Sequence, residues 1–177
     1  MIYTNNWTFI HIPKNGGTNF RFHALKHGAQ EPLESNSDTW RTTWQHAPAS
    51  YWTNRNNFIA IVRNPYSRMV SIYEHVRKVW NINATFEEYV TSPKPVFEGL
   101  WGWNTNQVDF ITKDTKVYKL ETELSDLEKY VGFEFTHTCY NSTNHSNYTE
   151  YYTKNTQDYV RWMYERDFET FNYGEKI

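Results

Sequence analysis

Phe9-Ile10-His11-Ile12-Pro13-Lys14-Asn15-Gly16-Gly17-Thr18-Asn19 decides the fold, and Ile61-Val62-Arg63-Asn64-Pro65-Tyr66-Ser67-Arg68-Met69-Val70-Ser71-Ile72-Tyr73 repeats its logic. Each is an apolar strand that runs into a polar turn and then a helix. Such units aim backbone N–H groups at a helix N-terminus, where anions bind. The first turn carries Lys14, two glycines and Thr18; the second carries Arg63, with Ser71 eight residues on. Two such turns in one short chain imply a ligand with two separated phosphate-like groups.

The first turn lacks the Walker A order, in which Lys follows the second Gly; here Lys14 precedes Gly16 and Gly17. The physics survives the reordering. Glycine admits positive φ and a close backbone approach to an anion, Thr18 adds a hydroxyl and Lys14 a mobile point charge. In the second unit, Asn64 reads as an N-cap and Pro65 as the first helical residue. The helix starting there places Met69, Tyr73, Val76 and Trp80 on an apolar stripe, with Ser67, Ser71 and His75 on the other side. Arg63 falls at the carboxyl end of its strand, the edge where open α/β sheets bind ligands.

These segments carry a resemblance. Ile12-Pro13-Lys14-Asn15-Gly16-Gly17-Thr18 resembles the 5'-phosphosulfate loop of sulfotransferases, and Val62 to Tyr73 resembles their 3'-phosphate segment. The carbohydrate branch (Golgi-type, 2-O-sulfotransferase-like) is the nearest flavour, with Asn15 standing where that branch more often has Thr or Ser. Asn106 to Ile111, Val117 to Glu121 and the ending Tyr164 to Tyr173 extend the similarity over most of the chain.

The resemblance implies a three-layer α/β sandwich with a central parallel sheet and a P-loop-like phosphate-binding turn. It implies sulfuryl transfer from 3'-phosphoadenosine 5'-phosphosulfate (PAPS, leaving the bisphosphate PAP) to a hydroxyl of a small-molecule or saccharide acceptor, with no metal. Lys14 would neutralise the bridging oxygen. Asn15, Gly16, Gly17, Thr18 and Asn19 would hold the 5'-phosphate, and Arg63 and Ser71 the 3'-phosphate. His46, in the segment before the second strand, takes the place of the general base, a role that suits an imidazole. Glu98 and Asp109 are the rival bases, and His11 reads as structural. A small-molecule or nucleotide kinase and a non-catalytic nucleotide-binding remnant are the competing readings. Lys14 and Arg63 argue against the remnant, and the missing Walker A order against the kinase.

Composition bounds the rest. A length of 177 residues suits one catalytic domain over 1–177. A net charge of −2 implies neither nucleic acid nor an anionic membrane as partner. The chain has 8 Trp, 14 Tyr and 11 Phe, enough for a large-residue core with Trp44, Trp101 and Trp103 left as stacking candidates. One cysteine, Cys139, allows no intrachain disulfide and favours a reducing compartment. No apolar run reaches the roughly 18 residues of a membrane helix, and a strand beginning near Met1 leaves little room for an anchor. The expectation is a cytoplasmic protein of microbial or viral-type origin.

Hydrophobic period predicts strands over 7–12, Phe58 to Val62 and Val117 to Leu120, alternating with helices, hence a parallel sheet. The helices expected are 18–28 with Phe22, Leu25 and Ala29 on one side, one from Pro65, two short ones and Asn155 to Phe171. Thr85-Phe86-Glu87-Glu88 and Ser125-Asp126-Leu127-Glu128 read as capping boxes that open the short helices. Tyr159, Trp162, Met163 and Arg166 mark the stripe of the last helix.

Overall fold

The computed structural model describes residues 1–32, 45–92, 105–136, 147–174 and 177. Its four strands are β1 (Ile2–Tyr3), β2 (Thr8–Ile10), β3 (Phe58–Val62) and β4 (Lys116–Lys119), hydrogen-bonded in that order. β2, β3 and β4 run parallel, with Ile10 opposite Ala60 and Val62 opposite Lys119. β1 pairs antiparallel to β2, so the sheet is mixed rather than parallel throughout. The reason is local. Thr4 Oγ1 accepts from the amides of Asn6 and Trp7, and Thr4 N donates to Trp7 O. That tight turn reverses the chain, whereas parallel neighbours need a long crossover.

β2 and β3 are apolar almost without interruption because both faces of the sheet are covered. Phe9, Ile59 and Ile61 join Trp7, Phe20, Ala24, Leu127 and Phe133 in one cluster. Ile10, Ala60 and Val62 join Ile12, Phe110 and Phe171 in another. β4 lies at the sheet edge with Lys116 exposed, a charge that discourages edge pairing.

Six α-helices fall within the described residues: α1 (Gly17–Lys26), α2 (Pro65–Trp80), α3 (Phe86–Thr91), α4 (Leu124–Val131), α5 (Lys154–Met163) and α6 (Glu165–Thr170). α2 starts where Asn64 and Pro65 predict. Asn64 Oδ1 accepts from Tyr66 N at 2.9 Å, and Asn81 in the left-handed region ends the helix. The capping box at Thr85 and Glu88 also forms.

Other expectations change. The strand predicted over 7–12 pairs only over Thr8–Ile10, because Ile12 N turns back to Ile10 O and leaves His11 just past the strand end. α1 buries Phe20 and Ala24, with the predicted Leu25 and Ala29 packed in the same cluster and Phe22 only partly buried. α4 begins at Leu124, so Ser125 lies inside its first turn and caps nothing. The predicted 155–171 helix breaks at Tyr164, whose fully buried ring faces the Arg68 guanidinium 5.6 Å away. α5 buries Thr156 and Val160, leaving Trp162 70% exposed. α2 is buried on every side from Pro65 to Tyr73, Ser67 and Ser71 included, while Trp80 emerges at its exposed end. Its apolar residues pack with Phe86 and Val90 of α3, Val160 of α5 and Phe168 of α6.

Candidate functional site

The carboxyl ends of β2 and β3 lie side by side, and each leads into a long helix. The turn after β2 holds Lys14 at φ 67° and Gly16 at φ 78°, both left-handed. Gly16 is the N-cap of α1 and offers no side-chain cap; the first turn of α1 holds no acidic residue. The first N–H groups of a helix have no partner within it, so this end presents donors and a partial positive charge. Gly17 is required for space. A Cβ there would sit 3.0 Å from His11 Cγ and still closer to the ring's Cδ2 and Nε2.

Arg63, the first residue past β3, folds back across the turn. Its Nη1 donates to Lys14 O at 3.2 Å and its Nε to Ser67 Oγ at 2.9 Å. Lys14 and Arg63 are thereby held against each other. Burial, reinforced by Arg63, lowers the Lys14 ammonium to about 8. Burial also lowers the Arg63 guanidinium, with Glu121 opposing. Ser71 lies buried one helical turn beyond Ser67, on the same face of α2. Thr18 is exposed at the start of α1.

The two asparagines turn to the protein. Asn15 is buried, its Nδ2 donating to Ile61 O at 2.8 Å and Gln107 Oε1 at 2.6 Å. Asn19 Nδ2 donates to Phe135 O at 2.7 Å. Their side-chain amides thus fasten the turn to β3 and to the segment after α4.

His46 stands beside this turn. Its Nδ1 donates to His11 O at 2.7 Å, which fixes the tautomer and leaves Nε2 unprotonated, with its lone pair as an acceptor. The rings of His46 and His11 meet edge to face with centroids 4.5 Å apart. Burial lowers His46 to about 4, with the His11 carbonyl opposing. It lowers fully buried His11 well below its ordinary value, with His46 adding to the effect. Of the rival bases, Asp109 is ion-paired to Arg166 at 2.7 Å, and Glu98 lies outside the described residues. So do Trp44, Trp101, Trp103 and Cys139.

A family model described as a sulfotransferase domain matches residues 10–173. The chain belongs to the sulfotransferase family. No curated protein and no solved structure matches it. Sulfuryl transfer is accordingly the reaction class of the domain, and an α/β fold with a mixed four-stranded sheet is its frame. No described helix of this sulfotransferase is long and apolar enough to cross a membrane.

Sequence reading passed over four residues that the structure brings to the candidate site. Arg68, fully buried, donates to Pro13 O at 3.1 Å and Thr105 O at 2.9 Å. Gln107 bonds to the backbone N and O of Arg63, and Asp167 accepts from Gln107 Nε2 and from the amides of Gln107 and Val108. Glu121 accepts from Asn64 N at 2.8 Å. All four lie in segments that carry the family resemblance. No local spacing links them, since each acts on a partner far along the chain.

Proposed function

We propose that this domain moves a sulfuryl group from PAPS to a hydroxyl acceptor, with a carbohydrate as the favoured acceptor class. The observation that carries the reading is the pairing of Lys14 with Arg63 across two adjacent parallel strands, beside an acid-free helix N-terminus. Those donors fit a ligand with two anionic ends, one at each turn. In this reading the α1 N–H groups, Thr18 and Lys14 hold the 5'-phosphosulfate, while Arg63 and Ser71 hold the 3'-phosphate. Asn15 and Asn19 then serve the P-loop-like turn through its backbone, because their side-chain amides bind the protein. The carbohydrate preference rests on the resemblance of the Lys14 turn and the His46 segment to that branch.

The chemistry follows from position and charge. Sulfuryl transfer leaves negative charge on the bridging oxygen, and a buried ammonium opposite that oxygen stabilises the transition state more than the ground state. His46 Nε2 is free to take the acceptor proton as its oxygen attacks sulfur, while the Nδ1–H bond to His11 O holds the ring. A positioned base contributes about 10²–10⁴ in rate. Cys139 supports a reducing, cytoplasmic setting for this chemistry.

Thermal denaturation with ligands tests the reading. A ligand at a hundredfold excess over its Kd adds about 2.7 kcal/mol, or roughly 5–10 °C in a domain of this size. PAP is expected to give that shift and 5'-AMP far less. A larger shift from ATP with Mg²⁺ than from PAP would overturn the assignment in favour of a kinase-like site. Labelled PAPS offered with a panel of sugars, phenols and steroids then identifies the acceptor.

A further inference from the structure

Gln107 is a fully buried polar side chain. Its polar atoms are all committed. Oε1 accepts from Asn15 Nδ2 at 2.6 Å and from Arg63 N at 2.9 Å. Nε2 donates to Arg63 O at 2.9 Å and to Asp167 Oδ2 at 3.1 Å. A neutral primary amide supplies two donor hydrogens and a two-lone-pair acceptor in one plane, and all are used here. The pair of bonds to Arg63 N and O copies what a neighbouring strand would do, one residue past the end of β3.

Asp167 sets the direction of that amide. Its carboxylate is buried and accepts from Gln107 N at 2.9 Å, Val108 N at 3.0 Å and Gln107 Nε2. A carboxylate cannot donate, so Nε2 must face it, and Oε1 must face Asn15 and the Arg63 amide. Arg68 braces the same segments from another side through Pro13 O and Thr105 O. Fully satisfied, buried polar groups of this kind enforce one geometry.

We propose that Gln107, oriented by Asp167, is a positioning residue of the donor site: it locks the main chain of Arg63 to the side chain of Asn15, and so holds the Arg63 and Lys14 cations at one fixed separation. The proposal rests on the reading of Lys14 and Arg63 as the donor-binding pair. Its physical content is that Gln107 touches no ligand and acts only through the residues that do. Positioning at this scale has functional weight, since a 1 Å displacement near reacting groups costs on the order of 10² in rate.

The test is Gln107→Glu, which puts an acceptor against Asp167 and Arg63 O. PAP affinity is measured by calorimetry on protein whose near-ultraviolet dichroism shows native packing. The expected result is PAP binding weakened about tenfold or more, the scale of one charge-assisted hydrogen bond. Asp167→Asn, which removes the constraint on amide direction, is expected to weaken PAP in the same way. In the Arg63→Ala background, Gln107→Glu is expected to cost markedly less than in the wild type, because the two act through one contact. A native-like Gln107→Glu protein that binds PAP within about twofold of wild type overturns the inference; so do losses that multiply independently of Arg63. Should Gln107→Glu fail to fold, Asn15→Ala removes one arm of the same lock and is judged by the same cycle with Arg63→Ala. Wild-type protein that does not bind PAP at all overturns the donor assignment instead, and with it this inference.

Discussion

Gly17→Ala probes whether α1 and the His11–His46 pair are built against each other. The φ of Gly17 lies outside the left-handed region, so backbone strain is not at issue; space is. The added methyl would stand 3.0 Å from His11 Cγ and overlap Cδ2 and Nε2 outright, whereas carbon atoms rest at about 3.5–4.0 Å. The imidazole has little freedom to retreat. It is 4% exposed, Gln45 Nε2 donates to its Nδ1 at 3.0 Å, and the His46 ring meets it at 4.5 Å. Either the ring or the first turn of α1 must move by more than an ångström. Overpacking of this kind costs about 1–3 kcal/mol, occasionally more, and alanine's better helix propensity returns at most about 1 kcal/mol.

A net loss of about 2 kcal/mol lowers Tm by roughly 4–8 °C at this chain length. Because the displaced turn is the proposed 5'-phosphate cradle, the stabilisation by PAP should shrink as well. Gly132→Ala is the control. It sits at φ 83° with open space where the methyl would go, so it suffers only the left-handed penalty of about 1–2 kcal/mol and keeps the full PAP shift. Differential scanning fluorimetry with and without PAP reads both quantities. Gly17→Ala protein melting within about 1 °C of wild type, with an unchanged PAP shift, would refute the packing argument.

Arg63→Ala removes a charge-assisted contact of about 1.5–3 kcal/mol and should weaken PAP by about tenfold or more in a binding titration; unchanged affinity would remove Arg63 from the donor site. Lys14→Ala should lower kcat more than it raises KM for PAPS, because its charge matters most as the leaving oxygen develops; a change in KM alone would refute that role. His46→Ala should lose about 10²–10⁴ in turnover with PAP binding intact, and near-normal turnover would move the base elsewhere. Free enzyme should keep a neutral His46 down to about pH 4, so kcat/KM has no acid limb near 6.5 from this group; a limb at 6.5 that vanishes in His46→Ala would contradict its burial. Stability carries the matching sign. His11 and His46 are neutral when folded but titrate near 6.5 when unfolded, so unfolding below that pH takes up protons. The stability is complete above about pH 6.5 and declines as pH falls toward 4. His46 alone contributes a loss of about 2 kcal/mol by pH 5, and a Tm that does not change between pH 7 and 5 would refute this.

Local signals were legible wherever one residue type has one physical use. Asn64 followed by Pro65 marked the start of α2, Phe58 to Val62 read as a buried strand over its true span, and Thr85 with Glu88 read as a capping box. β1 escaped because two residues carry no period. The break between α5 and α6 escaped because Tyr164 is an ordinary helical residue; what ends the helix there is its buried place near Arg68, a tertiary fact. Ser67 and Ser71 read only as lying opposite the apolar stripe, because period alone cannot see a helix enclosed on all sides. At the site, Lys14, Arg63 and His46 were visible through turn chemistry and resemblance. Gln107 and Asp167 were not, since their meaning lies in bonds across 44 and 60 positions.

The arrangement of charge explains why such a site would prefer an anion without being neutralised by its own protein. The cations meet neutral oxygens: half-buried Arg63 donates to Lys14 O and Ser67 Oγ, and buried Arg68 to Pro13 O and Thr105 O. Carbonyl and hydroxyl groups satisfy N–H donors but leave the net charge in place. The nearby carboxylates accept from neutral groups, Asp167 from Gln107 and Val108 and Glu121 from Asn64 N and Tyr173 Oη, and act on Arg68 and Arg63 through space. Positive charge therefore stays beside the α1 N-terminus, where burial first, and the neighbouring guanidinium second, lower the affinity of Lys14 and Arg63 for their protons. A doubly anionic ligand opposes that lowering when it binds. By linkage, binding raises the Lys14 value and takes up a proton above about pH 8.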